Sequence, residues 1–228
     1  MEKQFIYREF KYKDLGLTAY ENAWDTQKAM MEERKRDVIP DTLLLCEHPH
    51  TYTLGKVADR ANLISSDDYL EKNGISVFEI DRGGDITYHG PGQLVGYPII
   101  DLAKWRKDTH LYLRTLEQTI MDVCTYYGLE ASRNEKYTGV WIEDRKICAI
   151  GIKISKWVTM HGFAFNVNTD LNLYSGIIPC GISDKEVTSL QKELNRSVDF
   201  DIVKKLVVDS FRKNFSYDHI PASIVSGN

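Results

Sequence analysis

The stretch Gly139–Val167, GVWIEDRKICAIGIKISKWVTMHGFAFNV, contains three consecutive strand patterns. We predict strands over Gly139–Ile142, Lys146–Ile154 and Thr159–Val167. In the last of these, apolar residues alternate with small or polar ones, as in a half-buried strand. The charged sequence EDR (143–145) between the first two is typical of a hairpin turn. The stretch therefore predicts a sheet that is antiparallel at this point.

The patterns outside this stretch mix helices and strands without strict alternation. Helices are predicted over Thr18–Arg36, Ser66–Asn73, Thr109–Tyr127 and Asp199–Asn214, and further strands over Phe5–Phe10, Thr42–Cys46, Ile75–Ile80 and Leu94–Ile100. Blocks of strands separated by helices in this way indicate an α+β fold with a mostly antiparallel sheet.

The composition is that of an ordinary globular protein. Of 228 residues, 43% are hydrophobic and 27% are charged, and a formal net charge of −4 argues against a nucleic-acid partner. The apolar runs are shorter than the roughly 18 residues that cross a bilayer, and the charged N-terminus has no signal-peptide core. We therefore expect one cytoplasmic domain whose four cysteines are free thiols.

A glycine-rich loop, RGGDITYHGPGQ over Arg82–Gln93, follows a predicted strand. Its four glycines allow sharp turns and a close approach to a ligand, and its amide groups can bind a carbonyl or a phosphate. The spacing fits neither the dinucleotide-binding nor the Walker fingerprint. A plain β-turn is the simpler alternative, but Arg82 and His89 in the same loop favour a ligand-binding role.

Cys180 lies in the segment IPCGI (178–182). The proline fixes the approach to the thiol and the glycine removes bulk behind it, which is typical of a reactive group presented at a turn. A lone cysteine is more often a small buried hydrophobic residue. The other three fit that description, because Cys46 ends an apolar strand, Cys124 lies on the core side of a helix and Cys148 lies within a strand.

Two strand segments can complete such a site. Lys146 begins a strand beside a hairpin, where its side chain can turn inward, and a desolvated lysine exchanges protons readily. A solvated lysine at a turn is the alternative. Gly162 and Ala164 leave room for a slender ligand along one face of their strand, unless they serve ordinary strand packing.

The sequence gives little support for a metal site or for the catalytic triad of a serine hydrolase. The segment CEHPH (46–50) offers side chains of the ligating types, but their spacing fits no common structural zinc pattern. The sequence also lacks the G-x-S-x-G elbow of a serine hydrolase. We therefore expect neither a metal site nor a Ser-His-Asp triad.

The segments EHPHTYTLGK, RGGDITYHGPGQLVGYP, GVWIEDRKICAIGIK, HGFAFNVNTDL and IIPCGI together resemble the lipoyl(octanoyl) transferases. The match runs in order from Glu47 to Ile182. The resemblance implies the fold of the biotin/lipoate ligase superfamily, with a mixed sheet and helices packed on one side. It also implies that residues 1–228 form a single octanoyltransferase catalytic domain.

The same resemblance assigns roles to individual residues. It implies that Cys180 is the nucleophile that carries the acyl thioester and that Lys146 is its acid/base partner. The implied substrate-binding residues are Arg82, Gly83, Gly84, Asp85, Ile86, Thr87, Tyr88 and His89, then Ala149, Ile150 and Gly151, and finally Gly162, Phe163 and Ala164.

The activity implied is octanoyl transfer in two steps. The donor is octanoyl-acyl carrier protein, and the acceptors are lipoyl domains of 2-oxoacid dehydrogenase E2 subunits and the glycine cleavage H protein. A thioester is already activated, so no cofactor is expected. The protein is expected to act as a monomer, away from membranes. Because both partners are acidic in this family, we expect a basic patch, with Arg133, Lys136, Arg145 and Lys153 as candidates.

Three alternatives remain open at this point. A lipoate or biotin ligase of the same superfamily activates a free acid with ATP and needs no nucleophilic cysteine. An amidotransferase moves the octanoyl group between lipoyl domains, also through a cysteine. A non-catalytic module that only binds lipoylated proteins predicts binding without turnover.

Overall fold

The structure, a computed structural model, describes residues 8–178, 186–217 and 223–224. Cys180 and its immediate neighbours therefore lie outside the described residues. Within these ranges the strands are β1 (Phe10–Leu17), β2 (Asp41–Glu47), β3 (Thr51–Leu54), β4 (Ser76–Glu79), β5 (Ile86–His89), β6 (Gln93–Ile99), β7 (Ala131–Arg133), β8 (Val140–Ile142), β9 (Arg145–Ser155), β10 (Val158–Asn166), β11 (Glu186–Val187) and β12 (Ser223–Ile224). The helices are α1 (Tyr20–Lys35), α2 (Asp67–Lys72), α3 (Leu102–Trp105), α4 (Thr109–Tyr126), α5 (Leu190–Leu194) and α6 (Phe200–Asn214).

The large sheet has the strand order β12-β1-β2-β6-β10-β9-β8-β7, and β11 pairs with β9. Every pair from β2 to β7 along this order is antiparallel, whereas β1 pairs in parallel with both β2 and β12. The pairing of β11 with β9 is also parallel. The predicted α+β fold with a mixed, mostly antiparallel sheet is thus confirmed.

Strand β2 is apolar on both faces, and this corrects the expected placement of the helices. Leu43 and Leu45 pack in the core with residues of α4 and α6, whereas Leu44 and Cys46 pack in a separate cluster with Ala23 of α1. Successive residues of a strand point to opposite faces of a sheet. Helices therefore cover both faces of the large sheet instead of one, because α1 shields the second set of apolar side chains.

A small sheet with the order β4-β3-β5 lies beside the α1-covered face. Its strands β3 and β4 are parallel, and β3 and β5 are antiparallel. It has a core of its own, in which Tyr52, Tyr88 and Tyr174 are buried. The loop between β4 and β5 contains Arg82 to Asp85, so the small sheet presents the predicted ligand loop to the large one.

The first described strand runs over Phe10–Leu17, whereas the sequence predicts a strand over Phe5–Phe10, of which residues 5–7 lie outside the described residues. Its register is set by the parallel pairing with β2, in which Phe10 lies opposite Asp41. That partner is about thirty residues away in sequence, so the local pattern of apolar residues could not locate the strand.

No helix in the described parts of the chain is both long enough and apolar enough to cross a membrane.

The packing of α6 predicts the effect of a core substitution. Phe211 is fully buried, and its ring stacks on that of Phe215 with the centroids 4.3 Å apart. We expect Phe211→Ala to lower the free energy of unfolding by about 3–5 kcal/mol in urea titration, because a buried aromatic ring is lost and a cavity remains. Ile202→Ala, on the exposed side of the same helix, is the control and should change it by less than about 0.5 kcal/mol. Equal losses in the two variants would contradict this packing.

Candidate active site

One cavity lies between the α1-covered face of the large sheet and the small sheet. It brings most of the predicted site residues together. The described residues that line it are Tyr20, Arg82, Gly84, Asp85, Ile86, Thr87, His89, Val95, Tyr97, Thr138, Lys146, Ala149, Ile150, Gly151, His161, Gly162, Phe163, Ala164, Asn166, Tyr174 and Val187.

Small residues on β9 and β10 form the floor of the cavity. Gly151 lies opposite Gly162, and Ala149 lies opposite Ala164, so small side chains pair across the two strands. A Cβ atom on Gly162 would come within 2.2 Å of the carbonyl oxygen of Gly96. A larger side chain at that position would therefore displace the neighbouring strand, which makes glycine a requirement of the backbone packing.

Arg82 and Asp85 hold the glycine-rich loop in place. The Arg82 guanidinium donates to the carbonyl oxygen of Thr53 at 2.7 Å and to its hydroxyl oxygen at 3.0 Å. The Asp85 carboxylate accepts from the side-chain amide of Asn62 at 2.6 Å and from the backbone N–H of Ile86 at 2.7 Å. Both residues line the cavity, so the same groups that shape the loop also face the ligand space.

Two of the predicted substrate-binding residues do not line the cavity. Tyr88 is buried in the core of the small sheet, and its hydroxyl group is 2.9 Å from Nδ1 of His50. Gly83 donates its backbone N–H to the carbonyl oxygen of Ile152 and thereby ties the loop to β9. In this structure both residues support the site from outside the ligand space.

Gln93 connects the parts of the cavity wall through its side-chain amide. Its Nε2 lies within 3.2 Å of the carbonyl oxygen of Tyr88, Oδ1 of Asn166 and the hydroxyl group of Tyr174. Its Oε1 accepts from Nδ1 of His89 at 2.9 Å. The amide oxygen of Gln93 can accept a hydrogen bond but cannot donate one. The proton of neutral His89 is therefore on Nδ1. Burial holds the pKa of His89 well below its usual value, so this wall is uncharged at neutral pH.

Tyr97 is positioned by a second buried histidine. Nδ1 of His48 donates to the carbonyl oxygen of Thr18 at 2.7 Å, which leaves Nε2 to accept from the hydroxyl group of Tyr97 at 2.7 Å. Burial lowers the pKa of His48 to about 4. The histidine is therefore neutral above that pH and can accept the hydrogen bond that orients Tyr97.

Lys146 is the second residue of β9, and its side chain is buried while it lines the cavity. Its Nζ lies 4.8 Å from the centre of the Trp141 ring, which is itself fully buried. The lysine side chain therefore packs beside this ring. The prediction that Lys146 turns inward is confirmed.

The segment that contains Cys180 is anchored at both described ends. Ile178, two residues before it in sequence, donates its backbone N–H to the carbonyl oxygen of Asn62 at 2.8 Å. At the other end, β11 pairs in parallel with the start of β9, with Val187 opposite Lys146. Val187 also lines the cavity. The second anchor therefore lies at the cavity, and the first is joined to its lining through Asn62, whose side-chain amide donates to Asp85.

The three described cysteines are core residues, as predicted. Cys46, Cys124 and Cys148 are free and buried. Burial raises the pKa of Cys124 to about 12 and the pKa values of Cys46 and Cys148 well above the ordinary value for a thiol. These thiols are protonated at neutral pH and are poor nucleophiles. Among the described residues, no group of three or more His, Cys, Asp or Glu side chains is arranged to hold a metal ion.

Several lining residues were missed by the sequence reasoning. Asn166 and Tyr97 lie within the predicted strands Thr159–Val167 and Leu94–Ile100, and the alternation of β10 and β6 could have placed them on the same face as Ala164 and Val95. Tyr20 had no such signal, because it reaches the cavity from α1, far from the glycine-rich loop in sequence.

The expected basic patch is largely neutralised. Within the described residues, Arg133 pairs with Glu117, Arg145 pairs with Glu143 and Glu193, and Lys153 pairs with Asp81. Three of the four candidates therefore offer little net charge to an acidic partner.

Comparisons with known proteins identify relatives over most of the chain. The family model described as the lipoyl protein ligase A/B catalytic domain matches residues 19–212. A protein named octanoyltransferase from Rubrobacter xylanophilus is 51% identical over 200 residues, which cover 87% of this chain and 90% of that protein. Another octanoyltransferase, from Solibacter usitatus, is 46% identical over 211 residues, which cover 92% of this chain and 95% of that protein. Among solved structures, lipoate-protein ligase A bound with ATP is similar in fold, with a TM-score of 0.76 over 96% of this chain and 90% of that chain at 18% identity.

The pKa of His48 predicts a pH dependence of stability. Its pKa of about 4 in the folded state is below the value of about 6.5 expected in the unfolded chain, so the unfolded state binds more protons between these values. The contribution of His48 to the free energy of unfolding should be fully present above about pH 6.5. It should fall as the pH is lowered towards 4, by up to about 3 kcal/mol.

The measurement is urea unfolding at several pH values. His48→Gln keeps one donor and one acceptor without titrating, so its stability should fall less steeply over this range. His110→Gln, at an exposed position on α4, is the control and should follow the wild type. Parallel curves for all three proteins would show that His48 does not make this contribution.

Proposed function

The chain belongs to the lipoyl protein ligase A/B catalytic domain family, and we propose that it transfers an octanoyl group from acyl carrier protein to a lysine of lipoyl domains through a thioester on Cys180. The observation that carries the proposal is the position of Lys146, which lines a cavity floored by glycine and alanine. After the segment that contains Cys180, β11 pairs with β9 at Lys146, and before it Ile178 donates its N–H to Asn62, whose side chain bonds to the lining residue Asp85.

The relatives supply the reaction class, which is acyl transfer. Two relatives that cover most of this chain share the name octanoyltransferase. The cavity suits the acyl group, because Ala149, Gly151, Gly162 and Ala164 leave a narrow space that can enclose an extended hydrocarbon chain. The acceptors proposed are lipoyl domains of 2-oxoacid dehydrogenase E2 subunits and the glycine cleavage H protein.

In the first step, the amine of Lys146 takes the proton of the Cys180 thiol. The thiolate attacks the carbonyl carbon of the octanoyl thioester on the carrier, a new C–S bond forms and the carrier's C–S bond breaks. The departing carrier thiolate takes the proton back from Lys146. The enzyme then holds the octanoyl chain as a thioester, with the chain directed along the cavity.

In the second step, the amine of the acceptor lysine attacks the same carbonyl carbon. An amide bond forms, and the bond to Cys180 breaks. Lys146 takes the proton that the amine loses and passes it to the Cys180 thiolate, which restores the starting state. The product amide is more stable than the thioester, so the transfer runs towards the acceptor.

The main alternative is an ATP-dependent ligase of the same fold. The solved ligase that contains ATP shares only 18% identity, so it supports the fold and leaves the reaction open. The two functions differ in one requirement that can be measured, because a ligase modifies lipoyl domains only when ATP and free octanoate are supplied.

Intact mass spectrometry after mixing with octanoyl-acyl carrier protein tests the proposal. We expect wild type to gain one octanoyl group that hydroxylamine removes, and Cys180→Ala to gain none. Lys146→Ala should be labelled more slowly by a factor of at least about 100, which is typical of the loss of a general acid or base.

Cys148→Ala is the matched control, because this buried thiol lies two residues from Lys146. It should be labelled like the wild type. An adduct that survives in Cys180→Ala would place the nucleophile elsewhere. Modification of lipoyl domains that depends on ATP and free octanoate, without any adduct, would assign the chain to the ligases.

A further inference from the structure

We propose that Glu117, a buried carboxylate on α4, is a positioning residue for Lys146, because it holds the β-bulge that turns this lysine towards the cavity. The inference rests on the proposed acid/base role of Lys146 and adds the group that keeps the lysine in place. Glu117 does not line the cavity, so it would act on the reaction without contacting the substrate.

Strand β9 is irregular directly after Lys146. Val140 of β8 lies opposite Cys148, whereas the next residue, Trp141, lies opposite Lys146. Ile147 is therefore an extra residue on β9, with no residue of β8 opposite it. Such an insertion is a β-bulge, which changes the direction of nearby side chains and is common beside active sites.

The bulge accounts for the inward direction of Lys146. Lys146 and Ala149 both line the cavity, whereas Ile147 and Cys148 between them are both buried in the core beside α4 and α6. Side chains of a regular strand alternate between its two faces, so Lys146 would point to the same side as Cys148 and away from Ala149. The extra residue reverses this relation and places the lysine on the side of Ala149.

Gly139, directly before β8, packs against the bulge. A Cβ atom at this position would lie 2.5 Å from the carbonyl oxygen of Cys148 and 3.6 Å from Cε of Lys146. Its φ angle is +135°, a value that glycine adopts without strain. The backbone of Gly139 therefore supports both the bulge and the side chain of the lysine.

Glu117 binds this backbone from α4. Its Oε1 accepts from the N–H of Gly139 at 3.2 Å, and its Oε2 accepts from the guanidinium groups of Arg114 at 2.8 Å and of Arg133 at 3.2 Å. Only 1% of Glu117 is exposed. Burial of a carboxylate is costly unless charged or polar groups bind it, and these donors replace the lost water.

The same carboxylate binds both ends of the connection between β7 and β8, because Arg133 ends β7 and Gly139 precedes β8. This connection also supports Lys146 from a second side. The indole N–H of Trp141 donates to the carbonyl oxygen of Tyr137 at 3.4 Å, and the ring of Trp141 lies beside Nζ of the lysine. Glu117 therefore holds the segment that supplies both neighbours of the lysine side chain.

The experiment measures the rate of Cys180 acylation at several concentrations of octanoyl-acyl carrier protein, followed by intact mass. We expect Glu117→Ala to lower the maximal rate at least about tenfold, because a displacement of about 1 Å near the reacting groups can cost about 100-fold. The donor concentration that gives half the maximal rate should stay within about twofold of the wild type, since Glu117 contacts no substrate.

The same substitution in a Lys146→Ala background separates positioning from a general structural role. If Glu117 acts through Lys146, its loss should lower the rate by less than about twofold in a protein that already lacks the lysine. Glu117→Gln should retain at least about a third of the wild-type rate, because its amide oxygen can still accept from the N–H of Gly139.

Asp122→Ala is the matched control. Asp122 lies on the same helix, and its carboxylate accepts from the side chains of Ser210 and Asn214 on α6. The variant loses a hydrogen-bonded carboxylate of α4 that does not bind the β7–β8 connection. Its maximal rate, expressed per folded protein as measured by circular dichroism, should equal that of the wild type.

Arg133→Gln is a second test, at a partly exposed position, for the case in which Glu117→Ala does not fold. It releases one end of the β7–β8 connection and should lower the maximal rate at least about threefold, again only when Lys146 is present.

An unchanged maximal rate in Glu117→Ala, or an equal loss with and without Lys146, would overturn this inference alone and leave octanoyl transfer in place. The same results in Arg133→Gln have the same meaning if Glu117→Ala does not fold. A wild type that the octanoyl donor does not label would contradict the proposed function, and this inference with it.

Discussion

The hydrogen bonds of one side-chain amide, that of Gln93, join the separate elements that enclose the cavity. Gln93 lies at the start of β6, in the centre of the large sheet. Its amide reaches the end of β5 through Tyr88, the end of β10 through Asn166 and the turn before Cys180 through Tyr174. Both sheets and the approach to the proposed nucleophile therefore share a single buried group. A buried hydrogen-bond network stabilises the protein only when every polar group in it has a partner. A substitution of one of these residues would therefore leave its partners with unpaired polar groups.

A second constraint relates the proposed acid/base residue to the segment of the nucleophile. Strand β11 follows that segment and pairs with β9 at Lys146, and Thr188 donates its N–H to the carbonyl oxygen of the same lysine. The position of Lys146 and the return path of the segment are thus set by one backbone ladder. This parallel pairing is short, but it holds the strand that follows the Cys180 segment beside Lys146, which neither strand determines alone.

The sequence predicted the local parts of this arrangement and missed the distant ones. The alternation in β10 and the glycine-rich loop were sufficient to select Gly162, Ala164 and Arg82, because strand periodicity and turn chemistry act over a few residues. The roles of α1 and of Tyr20 were not predictable in the same way, since they depend on which face of the sheet the helix covers. Tyr88 was predicted to bind substrate because it lies in the glycine-rich segment, but its side chain is buried in the core of the small sheet. The position of a residue in such a segment does not determine the direction of its side chain.

The burial of three cysteines has a practical consequence for the study of motion in this protein. Cys46, Cys124 and Cys148 are enclosed and protonated, so a reagent that alkylates thiolates reacts with them only when the surrounding structure opens. Their positions differ, since Cys46 lies on β2 under α1 and Cys124 lies on α4 in the main core. In a variant that lacks Cys180, the rate of alkylation at each remaining thiol would report how often its own region opens. The three buried cysteines would thus serve as separate probes of local unfolding.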